Sequence, residues 1–230
     1  PSCGQPLTKQ NTNTNSYNLI CTNDTCKGKL VSRIEYMFSK KNINVKGLSE
    51  QTIIKLIDKG FVNKPTDIFN LTLQQIKQLD GFAEKSSQNL FNEIKSVKEL
   101  PLEVFISSIG FIDIGINVGK LLAHTFHSYD KLYAILITKS DLTFIDGIGE
   151  KTAKKLISDK FISEMEELRK YITPIDNEIE TKNLSFVITG TLSKPRTEYI
   201  NLIEAKGYKV TGTVTKKTNY LVMNDKTSTS

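Results

Sequence analysis

Ile145-Asp146-Gly147-Ile148-Gly149-Glu150-Lys151-Thr152 decides how the chain is read, because the same frame recurs three times upstream. It aligns without gaps with Val45-Lys46-Gly47-Leu48-Ser49-Glu50-Gln51-Thr52, with Leu79-Asp80-Gly81-Phe82-Ala83-Glu84-Lys85-Ser86 and with Phe111-Ile112-Asp113-Ile114-Gly115-Ile116-Asn117-Val118. The third residues fall at positions 47, 81, 113 and 147, a repeat of roughly 34 residues. Seven residues beyond each stand Ile54, Gln88, Lys120 and Lys154, and two further on come Leu56, Leu90, Leu122 and Leu156.

Each unit reads as a short helix, a tight hairpin of pattern apolar-x-Gly-apolar-Gly, and a second helix. The glycines permit positive φ and close approach of another molecule, while a buried apolar residue between them pins the turn. The first amides of the second helix then point outward, where free N–H groups and the positive end of the helix dipole suit a phosphate oxygen. One such Gly-x-Gly is more simply a helix C-cap and turn. Four copies at near-constant spacing favour contact with DNA instead.

The frames are unequal. Only Gly147-Ile148-Gly149 is complete; Ser49 and Ala83 stand where the second glycine would follow Gly47 and Gly81, and Asp113 replaces the first glycine of the third frame. A carboxylate there repels phosphate, so the third hairpin is expected to pack internally or to use Gly115 alone. The candidate DNA contacts are Gly47, Ser49, Gly81, Ala83, Lys85, Gly115, Gly147, Gly149, Lys151 and Thr152.

Outward from the hairpins, Thr72 with Gln75 forms a capping box, and Pro101 can begin the helix carrying Val104, Phe105 and Ile109. An all-helical domain over 35–172 follows, with the four repeated leucines in its core. Ahead of it, at 1–34, lie all three cysteines of the chain. Cys3, Cys21 and Cys26 sit in turns rich in Gly, Asn and Asp, which suits metal ligation better than a disulfide framework. Structural Zn(II) takes four such ligands in a tetrahedron, and it folds segments too small for a core. The simplest fourth ligand is a cysteine just upstream of Pro1, in a chain that begins inside a longer protein. His124 and His127, spaced H-x2-H, are a second option, but they fall on a helix far downstream.

Past an acidic linker at 173–182 the pattern turns to α/β over 183–230. Leu184 to Thr189 reads as a buried strand, Gly190-Thr191-Leu192 as a turn, Arg196 to Lys206 as an amphipathic helix, and Gly207 to Val210 and Tyr220 to Met223 as further strands. The fold class is thus mainly α: a small zinc module, an all-helical domain of tandem hairpins, then a partial α/β domain.

Bulk properties exclude less. Hydrophobic residues at 38% of 230 allow ordinary cores, and no apolar run reaches the ~18 residues that cross a bilayer. With 31 basic against 25 acidic residues, net charge +6, the excess is mild and no polybasic tail exists. Phosphate contact must therefore use placed amides and single lysines rather than a diffuse cationic cloud.

A four-cysteine zinc module followed by four helix-hairpin-helix units resembles the carboxy-terminal part of the bacterial-type NAD-dependent DNA ligases. Phe186-Val-Ile-Thr-Gly-Thr-Leu192 and the later Tyr220-Leu-Val222 resemble the BRCT domain that ends that family. The resemblance implies sequence-independent binding of nicked double-stranded DNA from its minor-groove side, in replication and repair, by an intracellular, nucleoid-associated, monomeric protein. It also implies NAD and Mg(II) as cofactors of the full-length enzyme and Zn(II) as a structural ion. In this chain the nearest string to the family's Lys-x-Asp-Gly nucleophile is Gln78-Leu79-Asp80-Gly81, where Gln cannot carry adenylate. No catalytic residue is therefore expected here, and the chain alone should bind DNA without sealing it. The BRCT-like segment is expected to offer at most a weak DNA or protein contact through Arg196, Lys216 and Lys217, with phosphopeptide capture by Thr189 and Lys217 a remoter use. The alternative reading is a non-catalytic repair or replication scaffold built from the same modules.

Overall fold

A computed structural model describes residues 2–11, 16–23, 25–176, 184–190, 192–193, 195–204, 208–216 and 218–223. The chain divides into two compact units, Pro1–Asn177 and Glu178–Ser230. Asp24 of the cysteine turn, Asn177 to Glu180 of the linker, Thr191, Lys206, Gly207 and Lys217 lie outside the described residues.

The first unit opens with an antiparallel pair, β1 (Leu7–Asn11) and β2 (Tyr17–Cys21), in the register Leu7↔Cys21. Helix α1 (Lys27–Met37) follows at once and buries Val31, Ile34 and Met37. Gly28 leaves room at its start: a Cβ there would lie 2.6 Å from Ser2 Oγ, so the bare glycine lets the amino-terminal segment pass close over the helix.

The four frames then appear as helix pairs. After α2 (Glu50–Asp58) and a 3-10 turn (Pro65–Asn70) come α3 (Leu73–Lys77) and α4 (Glu84–Ser96). The capping box at Thr72 is made, with Gln75 Oε1 accepting from Thr72 N at 2.9 Å and Thr72 Oγ1 accepting from Gln75 N at 3.3 Å. A short strand β3 (Glu99–Pro101) leads into α5 (Leu102–Ser108), with Pro101 at the N-cap. Helices α6 (Ile116–Phe126), α7 (Tyr129–Ile137), α8 (Glu150–Leu156) and α9 (Asp159–Arg169) complete the set. Leu56, Leu90, Leu122 and Leu156 are all buried in one continuous core. Helices α5 and α6 cross backbone to backbone, since a Cβ on Gly119 would meet the Glu103 carbonyl oxygen at 2.3 Å.

The helical unit extends further than its sequence suggests. Thr173–Ile175, at the head of the expected linker, forms β4, which pairs in parallel with β3 in the register Leu100↔Pro174. Proline is tolerated on such a two-stranded edge because one of its ladder positions needs no donor. Two ion-paired side chains tie α9 to earlier elements: Arg33 donates to Glu164 at 2.8 Å and to the Ile109 carbonyl at 3.0 Å, and Glu167 accepts from Lys64 at 2.8 Å and Lys170 at 2.7 Å.

The second unit holds a parallel three-stranded sheet, β5 (Ser185–Ile188) flanked by β6 (Lys209–Thr211) and β7 (Thr218–Val222), with α10 (Arg196–Glu204) packed on β6. Val187 and Ile188 are buried, and Phe186 stacks on Tyr220 at 4.9 Å. The expected amphipathic face of α10 buries no described residue, and Leu202 is 55% exposed.

Candidate nucleic-acid interface and thiol cluster

All four hairpins adopt one backbone conformation at their third residue. Gly47, Gly81 and Gly147 have φ of 85°, 85° and 89°, and Asp113 joins them at 75°. In the last three frames the next amide bonds back across the turn: Phe82 N to Leu79 O at 3.1 Å, Ile114 N to Phe111 O at 3.0 Å and Ile148 N to Ile145 O at 2.9 Å. A positive φ at the third of four turn residues is the type II signature, which is why glycine dominates there. Leu48, Ile114 and Ile148, between the two key positions, are buried as expected, and Phe82 is partly so.

The fifth position works differently from the sequence expectation. Ser49, Ala83, Gly115 and Gly149 are the N-caps of α2, α4, α6 and α8, with extended backbone and negative φ. Positive φ is therefore not the reason for a second glycine. Gly149 has open space around it, so a missing side chain there leaves the helix start uncovered. Ser49 instead accepts from the Thr52 amide at 3.2 Å, whereas α4, α6 and α8 begin with no side-chain cap. The starts of α6 and α8 thus keep the donors that a phosphate oxygen needs, while at α4 the Ala83 amide already donates to Ser86 Oγ at 2.9 Å and only the amides beyond it are open.

The charged groups nearby are shared between frames. Lys85 is exposed in the first turn of α4, and Lys151 and Thr152 occupy the first turn of α8. Asp113 is not the bare repulsive charge expected of it: Lys155 Nζ lies 2.6 Å and Lys151 Nζ 3.3 Å from its Oδ2. The hydrogen bond from Lys155 holds the Asp113 carboxyl below the usual carboxylate range. Lys155 also donates to the Ile112 carbonyl at 2.9 Å, beside an Ile112 side chain that is 80% exposed. In the first hairpin pair, Lys55 donates to the Asp80 carbonyl at 2.7 Å. Lys55 and Lys155 hold the same place in their frames, as do Asp80 and Ile112, a pairing that sequence reading missed.

At the amino terminus, Cys3, Cys21 and Cys26 converge with all three sulfurs within 4.8 Å of one another, and Cys3 and Cys21 stand 3.6 Å apart. Sulfurs around tetrahedral zinc, each ~2.3 Å from the ion, sit about 3.8 Å apart, so the spacing fits. The Gln5 backbone N–H and the Asn23 side chain hold the Cys3 thiol down to about 7. His124 and His127 are not in this group; they close α6, with rings 6.0 Å apart. In the second unit Arg196 of α10 donates to the Ile188 carbonyl of β5, and the Thr189 main-chain amide donates to Val222 O at 3.0 Å.

Residues 113–163 match the SAM-like helix-hairpin-helix tandem family, and residues 177–230 match the BRCA1 C Terminus (BRCT) domain. The class is a tandem of hairpin modules joined to a BRCT domain. Across nearly its whole length the chain is similar to DNA ligases. It is 37% identical over 246 residues to the DNA ligase of Lachnoclostridium phytofermentans, covering 100% of this chain and 37% of that protein. It is 32% identical to DNA ligase 2 of Deinococcus deserti, over 96% of this chain and 33% of that protein, and 32% identical to the DNA ligase of Helicobacter hepaticus, over 98% and 35%. These likenesses support reading the chain as a carboxy-terminal fragment of an NAD-dependent DNA ligase. It spans about a third of the length of the curated relatives it matches.

Proposed function

We propose that the chain grips duplex DNA without regard to sequence, nicked duplex above all, as the DNA-holding part of an NAD-dependent ligase. The uncapped helix starts behind the second, third and fourth hairpins carry this reading, because main-chain N–H groups can hold backbone phosphates and cannot tell one base from another. Gly81, Ala83, Gly115, Gly147 and Gly149 keep side chains out of the way, Lys85 and Lys151 add point charges, and Thr152 adds a hydroxyl. Gly47 and Ser49 shape a first hairpin whose helix start is already capped.

In the full-length enzyme NAD supplies the adenylate, and Mg(II) assists closure of a 3′-hydroxyl on a 5′-phosphate; their sites lie in other residues than these. Cys3, Cys21 and Cys26 fit three corners of a structural zinc, which would clamp the β1–β2 hairpin to the start of α1. The assembly acts as a monomer inside the cell, on nucleoid DNA. Among the described residues no helix is long and apolar enough to cross a membrane.

Titration of a nicked duplex at increasing salt tests this. Binding by placed amides and a few lysines gives a log K against log salt slope of only a few phosphates at ~0.9 each. Undetectable affinity at low salt overturns the reading.

A further inference from the structure

We propose that the Asp113 carboxylate is an internal stand-in for a DNA phosphate, holding Lys151 and Lys155 and restraining the grip of the third and fourth hairpins. The inference rests on the DNA-binding reading and adds to it a specific restraint on affinity.

Three observations carry it. First, the turn does not need aspartate: its φ of 75° is left-handed, the other three frames place glycine there, and among other residues aspartate is merely tolerated. What Asp113 adds over glycine is the carboxylate, whose ion pairs are with Lys155 at 2.6 Å and Lys151 at 3.3 Å. Second, the bridge between hairpins does not need that carboxylate. Lys155 already bonds the Ile112 carbonyl at 2.9 Å, and the equivalent bond from Lys55 to Asp80 O is made with Gly81 in the place of Asp113. Third, Lys151 stands in the first turn of α8, directly behind the one complete Gly-x-Gly and beside its uncapped amides. In the DNA-binding reading Lys151 is a phosphate contact, so Asp113 and DNA compete for the same cation.

The pairs are open to competition. Asp113 is 40% exposed and Lys151 68%, and ion pairs so exposed hold weakly. A DNA phosphate brings the same oxygen chemistry and arrives fixed to its neighbours along the strand, so it can displace Asp113 from one or both lysines. DNA binding by this hairpin pair is then an exchange of one anion for another.

The test compares the 230-residue chain with its Asp113→Asn and Asp113→Gly variants on the same nicked duplex, by fluorescence anisotropy over a salt series. Asp130→Asn, an equal change of charge on α7, controls for net charge. Both Asp113 variants should bind several-fold more tightly at low salt than the Asp130 control, with a slope steeper by about 0.9 for each lysine released. Adding Lys151→Met to Asp113→Asn should remove most of the gain. Variants that melt like the parent yet bind with the affinity and slope of the control, or more weakly, make Asp113 a structural staple and overturn the proposal. If neither parent nor variants bind, the DNA-binding reading falls as well; if only the variants bind, the restraint is supported in its strongest form.

Discussion

Lys55 donates a hydrogen bond to the main-chain carbonyl of Asp80, 2.7 Å away, and so reaches from the helix behind one hairpin to the corner of the next. Lys155 repeats the contact on Ile112 at 2.9 Å, but from the fourth frame back to the third. The four units are therefore two mutually braced pairs rather than a row of equal beads. Lys55→Met should loosen the second corner and reduce stability by roughly 1 kcal/mol, the usual worth of a hydrogen bond near the surface. Hydrogen exchange at Gly81 to Ala83 checks it, with faster exchange expected there than in the fourth hairpin.

Gly147 and Gly149 should separate folding from binding. At Gly147 a Cβ would sit 3.0 Å from Leu121 Cδ1 on a left-handed backbone, so Gly147→Ala should lower the melting temperature by an amount corresponding to about 1–2 kcal/mol. At Gly149 the space is open and φ ordinary, so Gly149→Ala should cost about 1 kcal/mol or less while weakening DNA binding several-fold. Parallel melting and anisotropy series read both. Normal DNA affinity in a folded Gly149→Ala protein would remove the fourth helix start from the interface.

The thiol cluster predicts one zinc per chain, measurable by metal analysis after dialysis, and a strong cobalt-thiolate absorption on substitution. Cys21→Ser should abolish both, along with the order of the β1–β2 hairpin. Gly28→Ala should do so in part, by pushing Ser2 off α1 and with it the adjoining Cys3.

Acid stability should register Glu167. Its carboxyl is held down to about 2, first by the Lys170 hydrogen bond and then by that of Lys64, against an ordinary value of 4.5. A depressed folded value stabilises the native state above pH 4.5, and the contribution is lost as the pH falls from there toward 2. Glu167→Gln should thus melt lower than the parent at pH 6, with the gap closing on acidification. An unchanged gap at pH 2.5 would assign the loss to packing instead.

Much of this architecture is legible in the sequence. Left-handed φ at the third position leaves a visible mark, glycine, in three frames out of four, and the buried leucines follow from helical spacing. Asp113 hid the fourth mark because side chain and backbone answer to different demands there. At the second glycine only the expectation of positive φ fails, because Gly115 and Gly149 are N-caps with ordinary φ. Lys55 and Lys155 were invisible because their partners are carbonyls in another frame, and only the packing of helix pairs brings them within reach. β4 was hidden for a like reason: three residues acquire strand character only beside Glu99–Pro101.

That same pairing has a mechanical consequence. The strands run in one direction, so chain entering at Glu99 and leaving at Ile175 pulls on opposite ends of the ladder. Tension along the backbone loads its bonds together in shear, where an antiparallel pair would let them peel singly. The last two hairpins therefore hang in a noose with a locked neck, and a load borne by the chain beyond Asp176 is resisted at that neck before it can distort the surfaces inside.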